Sequence, residues 1–365
     1  MCKSIAIRFG FLLPIICMGL ITQAQQPWLP RDPSPAANVS QTVGISTITV
    51  NYSRPAVKGR VVWGTLVPYG WDKNGSAIGL ESPWRAGANE NTVLHLSDPA
   101  TIEGTVVPAG DYGLFFVINK DNTGEIILSK DYKSWGSFFY NPKNDQMRAK
   151  ITVKDVPSSV ERLNYSFDVI DRTTAELDLN WEKKQFPVKI VFAVDDIVMA
   201  NSTELLNGQT GFMWQNVNAA ANYSLANKVG LDQGLKWADR AIQGQAAPSM
   251  GPYATKAGIL DLQGNHAEAE KILNDAMAKA TEVDLNAYGY TLIANKQYDK
   301  AIAALKINTQ RHPESANCWD SLGEAYALNG DKQNAIVNFK KSLSLNPPAN
   351  VKANSEKYLK QLGAM

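Results

Sequence analysis

Trp319-Asp320-Ser321-Leu322-Gly323-Glu324-Ala325-Tyr326 is followed by Ala335, Phe339 and Pro347, and the spacing within this stretch decides how the second half of the chain folds. Trp319, Leu322, Gly323 and Tyr326 fall at i, i+3, i+4 and i+7, which places them on one face of an α-helix. Asn329-Gly330-Asp331 then breaks the pattern. Ala335, Ile336, Phe339 and Leu343 resume it until Pro347-Pro348 ends it. Gly323 carries no side chain and lets a partner helix approach closely. The predicted unit is a helical hairpin whose apolar stripe is buried against a neighbouring hairpin.

Copies of the pattern precede it. Tyr288, Gly289 and Leu292 lead to Ala301, Leu305 and Pro313; earlier, Tyr253, Ala257 and Leu260 lead through Gln263-Gly264-Asn265 to Ala269, Leu273 and Ala276. A looser unit spans 212–242, with Gly234, Ala238 and Ala241 as small contacts, and Val351, Tyr358, Leu359 and Leu362 suggest a capping helix. These motifs, recurring at about 34 residues, resemble the tetratricopeptide repeat, which needs about three copies for a stable stack. The resemblance implies an all-α solenoid over 211–365 that binds a protein or peptide along the inner face of its first helices. Carried onto this chain, that face comprises Asn286, Tyr290 and Ile293, then Asn317, Asp320 and Glu324. Asp320 and Glu324 stand where carboxylate-clamping members carry Lys and Asn, so no clamp on a chain terminus is expected. The same residues also read as a solvated helix face.

Between 38 and 194 the periodicity changes from helical to alternating. Leu163, Tyr165, Phe167 and Val169 alternate with polar residues, as do Leu177, Leu179 and Trp181, and again Val188, Ile190, Phe192 and Val194. Period two with one apolar face predicts antiparallel strands. Asp171-Arg172-Thr173 and Lys183-Lys184-Gln185 are expected to join them as turns of a meander. Tyr112 to Asn119 and Glu125 to Ser129 flank a hairpin signal, while Ile48, Val50 and Tyr52, Thr92 to Leu96 and Thr101 to Val107 add strands. Roughly eight or nine strands without strand–helix alternation predict an antiparallel β-sandwich. Tyr52-Ser53-Arg54-Pro55, Lys58-Gly59-Arg60, Trp63-Gly64, the run Trp84 to Thr92, and Pro108-Ala109-Gly110-Asp111-Tyr112, in that order, resemble the exported bacterial family called domain of unknown function 2911. The later Trp135-Gly136 and Leu177-x-Leu-x-Trp181 fit the same pattern. The resemblance implies an envelope protein, and it assigns no activity and no site residues.

Two clusters in this half are candidate ligand-binding residues. In the loop from Arg85 to Thr92, Gly87 frees the backbone while Arg85, Asn89, Glu90 and Asn91 offer donors and acceptors to a polar ligand. The alternative is structural: an arginine pinning two sheets and asparagines satisfying turns. Arg54, Lys58 and Arg60 lie near Trp63, Tyr69, Trp71 and Trp84, a composition suited to a sugar or anion, or to aromatic core residues covered by long cations. Glu90, Glu103 and Asp111 are the carboxylates an alternative reading, a carbohydrate-active hydrolase or lyase, would use. No catalytic residue is assigned beyond that alternative. The β-rich half holds a single histidine, His95, no Gly-x-Ser-x-Gly elbow surrounds a serine, and no cofactor or metal motif occurs.

The chain of 365 residues exceeds one ordinary hydrophobic core. Thirty-six basic against thirty-five acidic side chains leave a net charge of +1, which gives no field to gather nucleic acid. Lys3 and Arg8, the apolar run Phe9 to Ile21 and Thr22-Gln23-Ala24 read as a secretory signal cleaved near Ala24. Pro14 interrupts that run and it is shorter than the ~20 residues a bilayer requires, so the mature chain is expected to have no membrane span. It would keep Cys318 alone of the three cysteines, and no internal disulfide. The expected organisation is a signal over 1–24, an N-terminal linker over 25–37, the β-sandwich over 38–194, a linker over 195–210 and the repeats with their cap over 211–365. Together these features lead to an exported, non-enzymatic scaffold, periplasmic or secreted, with a glycan or other polar ligand as a further possibility at the sandwich.

Overall fold

The computed structural model describes residues 33–245 and 249–365. The signal segment and most of the 25–37 linker lie outside the described residues. The chain divides into two compact units, one ending at Phe192 and the other beginning at Ala193.

The first unit contains ten strands among its described residues: β1 (Ala36–Val43), β2 (Ser46–Ser53), β3 (Val93–Leu96), β4 (Ala100–Ile102), β5 (Thr105–Val107), β6 (Gly110–Ile118), β7 (Thr123–Ser129), β8 (Asp145–Thr152), β9 (Lys154–Val169) and β10 (Thr174–Phe192). They form two antiparallel sheets, ordered β1-β2-β3-β6-β7-β8 and β5-β4-β10-β9. The sheets meet through aromatic side chains. Phe116 of β6 lies 5.1 Å from Phe186 of β10, and Tyr52 of β2 lies 4.7 Å edge-on from Tyr165 of β9. In β2 the apolar residues Ile48, Val50 and Tyr52 are buried in alternation, as period two requires. β6 is buried on both faces from Tyr112 to Ile118. Its second face packs Phe115 and Val117 against Ile127, Tyr140 and Trp71, all outside the inter-sheet layer's Phe116 contact.

Two expectations change. The stretch Thr101 to Val107 is not one strand but the hairpin β4–β5, turned by Glu103 at φ 45° and Gly104 at φ 82°. Positive φ at both central residues matches the twist of a two-residue hairpin. Lys183-Lys184-Gln185 is not a connecting turn, because β10 runs unbroken through it. Its pairing with β9 slips around Glu182, which adopts φ 52°. A bulge of this kind adds a residue to one strand and reverses which parity faces inward. Leu177, Leu179 and Trp181 are therefore buried on one side of it, and Phe186, Val188, Ile190 and Phe192 on the other.

The second unit holds α1 (Val194–Leu205), α2 (Trp214–Asn227), α3 (Leu231–Gln243), α4 (Met250–Leu262), α5 (His266–Lys279), α6 (Glu282–Ala294), α7 (Tyr298–Arg311), α8 (Ala316–Leu328), α9 (Lys332–Ser344) and α10 (Ala349–Gln361). Helices α2 to α9 pair consecutively into hairpins, and α10 packs on α8 and α9. The segment expected as a linker, 195–210, is mostly α1. Asp195 and Asp196 lie in its first turn, where they complement the helix dipole. Tyr223 of α2 donates to Asp195 Oδ1 at 2.8 Å, and Arg240 of α3 donates to the carbonyls of Leu206 and Gly211, so this segment docks on the first hairpin.

Small residues set the hairpin spacing. A Cβ at Gly323 would lie 2.9 Å from the Phe339 ring, at Gly289 2.6 Å from Leu305, and at Gly234 2.3 Å from Ser224 Oγ. After Asn329 the chain turns at Gly330, φ 85°, and Asp331 caps α9 by accepting from the Asn334 backbone N–H. Cys318 is fully buried, and burial pushes its thiol up to about 11, consistent with a packed small residue rather than a reactive one. No helix among the described residues is long and apolar enough to cross a membrane.

Candidate functional site

The long connection from Arg54 to Thr92, between β2 and β3, contains no regular strand, and connections beyond about 12–15 residues in compact domains usually serve a function. Part of it is held by sheet-like pairing: Trp84 and Phe116 exchange both backbone hydrogen bonds at 2.9 Å, which fixes Trp84 beside β6. Trp84 stacks on Trp181 of β10, centroids 5.8 Å apart and planes 16° apart. Trp63 meets both rings edge-on and donates its N–H to Glu182 at the bulge.

This arrangement bounds a cavity of about 650 Å³, within the usual range of small-molecule sites. Arg60, Trp84, Arg85 and Asn89, four of the residues singled out in the sequence, line it together. Lys58 of the basic cluster lines it too, and so do Asp72, Ser82, Phe138 and Trp181, which were not among the candidate site residues. The signal for Trp181 was masked because a tryptophan in an alternating strand reads as core. Ser82 carried no sequence signal.

The guanidinium of Arg85 donates to the Asn89 carbonyl at 2.7 Å and lies 5.4 Å over the Phe138 ring. It passes directly over Gly136, where an added Cβ would come within 2.5 Å of it, and whose φ of 59° also favours glycine. Desolvation holds its pKa below the usual arginine value. Arg60 donates to the carbonyls of Ala56 and Val57, so its charge meets dipoles rather than a carboxylate. Trp181 and Ser82 are each 1% exposed, yet the indole N–H and the serine hydroxyl have no hydrogen-bond partner.

The remaining candidates do not join this cavity. Arg54 donates to the Leu163 carbonyl of β9, a tie between the two sheets. Asn91 is buried and donates to the Asp131 carbonyl. Trp63 belongs to the aromatic cluster behind the cavity wall. Glu90 has its own interaction and is not a lining residue. The loop is pinned from below as well: the Ala86 carbonyl accepts from Thr92 Oγ1 at 3.1 Å and from the buried Tyr165 hydroxyl at 2.8 Å. The carboxylates of the hydrolase reading stand on separate elements. Asp111 of β6 pairs with His95 of β3 at 2.7 Å, while Glu103, in the β4–β5 turn, accepts from the Lys189 backbone. Among the described residues no group of three His, Cys, Asp or Glu is placed to hold a metal.

In the helical unit the groove candidates meet one another. Tyr290 of α6 and Tyr358 of α10 both donate to Glu324 of α8, at 3.1 Å each. Asn354 and Ser355 of α10 donate to Asp320 of α8. Partners in the Tyr290–Glu324, Glu324–Tyr358 and Asp320–Asn354 bonds are each 34 residues apart, the repeat period, because equivalent positions of successive first helices lie side by side. Asp320 is only 3% exposed, and burial raises its pKa. Asp320 is thus closed off from a peptide by α10, a correction to the expected groove at that position, while Glu324 is half-buried and bonded from both α6 and α10. Ile293 packs against the core of the array, and Asn317 is half-buried. Asn286, one repeat before Asp320, has a buried Oδ1 without a partner. Aligned on Leu260 and Leu292, its counterpart in α4 is Ala254, which brings no donor.

Residues 34–190 match the family described as "Protein of unknown function (DUF2911)", and residues 316–348 match a tetratricopeptide repeat. Superkiller complex protein 3 of Mus musculus is 41% identical over 51 residues, which cover 14% of this chain and 3% of that protein. Cellulose synthase operon protein C of Escherichia coli (strain K12) is 32% identical over 85 residues, covering 23% of this chain and 7% of its own length. This chain therefore spans a small fraction of either relative. Among solved structures, PilF of Pseudomonas aeruginosa has a TM-score of 0.24 at 21% identity, covering 40% of this chain and 68% of that one. YrrB, a tetratricopeptide repeat protein with an unusual peptide-binding site, has 0.25 at 14% identity, covering 45% and 84%.

Proposed function

We propose that this chain is an exported binding protein, without turnover of its own, in which the helical array is the scaffold for a protein or peptide partner and the β-sandwich is a second recognition module. The repeat array supports a protein-binding role. The observation that carries the finer reading is the unpaired, buried Asn286 Oδ1 on α6, joined by the equally unpaired Asn218 Oδ1 on α2. A buried amide oxygen without a donor is costly, about 1–3 kcal/mol, and the backbone N–H of a bound segment is a donor of the kind it lacks. With α10 covering the Asp320 and Glu324 end, the partner's place shifts toward α2, α4 and α6. Lys3, Arg8 and the apolar run from Phe9 support export.

Peptide display against the full chain tests this reading. Enrichment of a peptide that binds saturably, and loses at least ~fivefold in affinity with Asn286→Leu at unchanged thermal midpoint, is the expected result. Failure to enrich any saturable peptide overturns it.

A further inference from the structure

The cavity beside Trp84 carries more positive charge and more unmet donors than a packing defect would. Lys58, Arg60 and Arg85 line it against one acidic residue, Asp72, whose Oδ1 already accepts from the Asn74 backbone N–H. None of the three cations forms an ion pair with a carboxylate among the described residues. Lys58 and Arg60 are exposed at the mouth, and Arg85 is half-buried deeper in. At the wall, Trp181 Nε1 and Ser82 Oγ are buried without partners. An indole N–H only donates, so its partner has to be an acceptor.

Charge and donors together select an oxyanion, and the planar guanidinium of Arg85 suits a carboxylate in particular. The walls select what the carboxylate is attached to. Trp84 is part-exposed and backed by the buried Trp181, and the exposed Phe138 adds a second ring to the lining, so the remainder of the ligand needs a flat or ring-shaped apolar face. A small inorganic ion leaves most of the space and both aromatic walls unused.

We propose that this cavity is a binding site for a small ring-bearing carboxylate, held by Arg85 and the mouth cations through its carboxyl group and by Trp84 and Phe138 through its ring. Uronic acids and aromatic acids share this chemistry. The site rests on the β unit acting as a recognition module, and it is separable from the helical array because its residues are all in the first unit.

The test is calorimetric titration of the full chain with glucuronate, benzoate, glucose and inorganic sulfate. Saturable binding of glucuronate or benzoate, at least tenfold tighter than glucose and sulfate, is the expected result. Binding of glucuronate alone identifies the sugar acid and of benzoate alone the aromatic acid. Glucose binding as tightly as glucuronate overturns the role of charge, sulfate binding as tightly as both overturns the role of the rings, and binding of no probe overturns the site. Arg85→Gln is expected to weaken the bound carboxylate at least tenfold and Arg85→Lys to restore part of the loss. Trp181→Phe keeps a ring but removes the N–H, and a several-fold weakening is expected. Should either buried variant fail to fold, Lys58→Gln at the exposed mouth gives the independent readout: a weaker affinity and a shallower salt dependence support the proposal, and no change in either counts against it. Peptide binding that depends on Asn286 is unaffected by all of these variants, so loss of one site is distinguishable from loss of the other.

Discussion

Asp178 sits near the start of β10, 2% exposed, with its Oδ1 unpartnered. Burial first, and then the nearby Glu176 and Asp168, push its carboxyl up to about 6, while Gln185 and Lys154 oppose the shift. A carboxyl whose folded pKa lies above the unfolded value near ~3.9 binds its proton more tightly in the folded chain. Its contribution to stability is whole below about pH 4 and is lost as pH rises through about 6. Asp178→Asn keeps the shape and removes the charge. The unfolding free energy of this variant in urea should approach that of the unaltered protein at pH 4 and exceed it at pH 7.5, by on the order of 1 kcal/mol once solvent screening is allowed for. Equal free energies at both pH values would show that Asp178 titrates normally. Residue-scale features like this one were the least legible. Ser82 and Asp178 look like any polar residue in a strand or turn, since their burial depends on segments far away in sequence. Arg60, Trp84, Arg85 and Asn89 were recognisable as candidates because residue types suited to a ligand were clustered along the chain. That they share one cavity followed only from the pairing of Trp84 with Phe116.

At the scale of elements, helices were readable from their 3.6-residue periodicity and strands from alternation, and the misreadings came where one signal imitated another. In β10 the inward parity changes after Trp181. A change of parity is what a turn between two strands produces, but also what a bulge produces within one, and Glu182 at positive φ makes the second choice. The groove of the array was misread for a related reason. Tyr290, Glu324 and Tyr358 occupy one repeat position, as do Asn286, Asp320 and Asn354, so alternating donors and acceptors can bond from helix to helix. The final helix is bound by this ladder as well as by apolar contact, Tyr358 stacking on Phe339 with centroids 5.1 Å apart. Tyr358→Phe retains the stack and deletes only the bond to Glu324, which should lower stability by about 1 kcal/mol. Hydrogen exchange checks where the loss falls: faster exchange is expected in α10 first, and acceleration spread evenly over α2 to α10 would mean the ladder has no local role.

The helical unit as a whole should behave as a linear array, because each hairpin buries its apolar face only against its neighbours. Its largest core cluster runs from Met250 through Leu285, Leu305 and Phe339 to Leu359, whereas Val217, Trp237 and Ala241 form a separate cluster near the first hairpin. Contacts of the second kind cannot feel the loss of the first directly. Phe339 is fully buried against Gly323, and Phe339→Ala removes its ring from the last hairpin at a cost of about 3–5 kcal/mol. In a closed globule that loss would lower protection everywhere at once, since opening would be a single event. In a stack it decays with distance: α8, α9 and α10 should exchange fastest, α6 and α7 less so, and α2 and α3 least. Native-state hydrogen exchange of the full chain distinguishes the two. A uniform loss across the array would remove the open inner face on which a partner depends, since helices that unfold as one body have closed on each other rather than stacked in line.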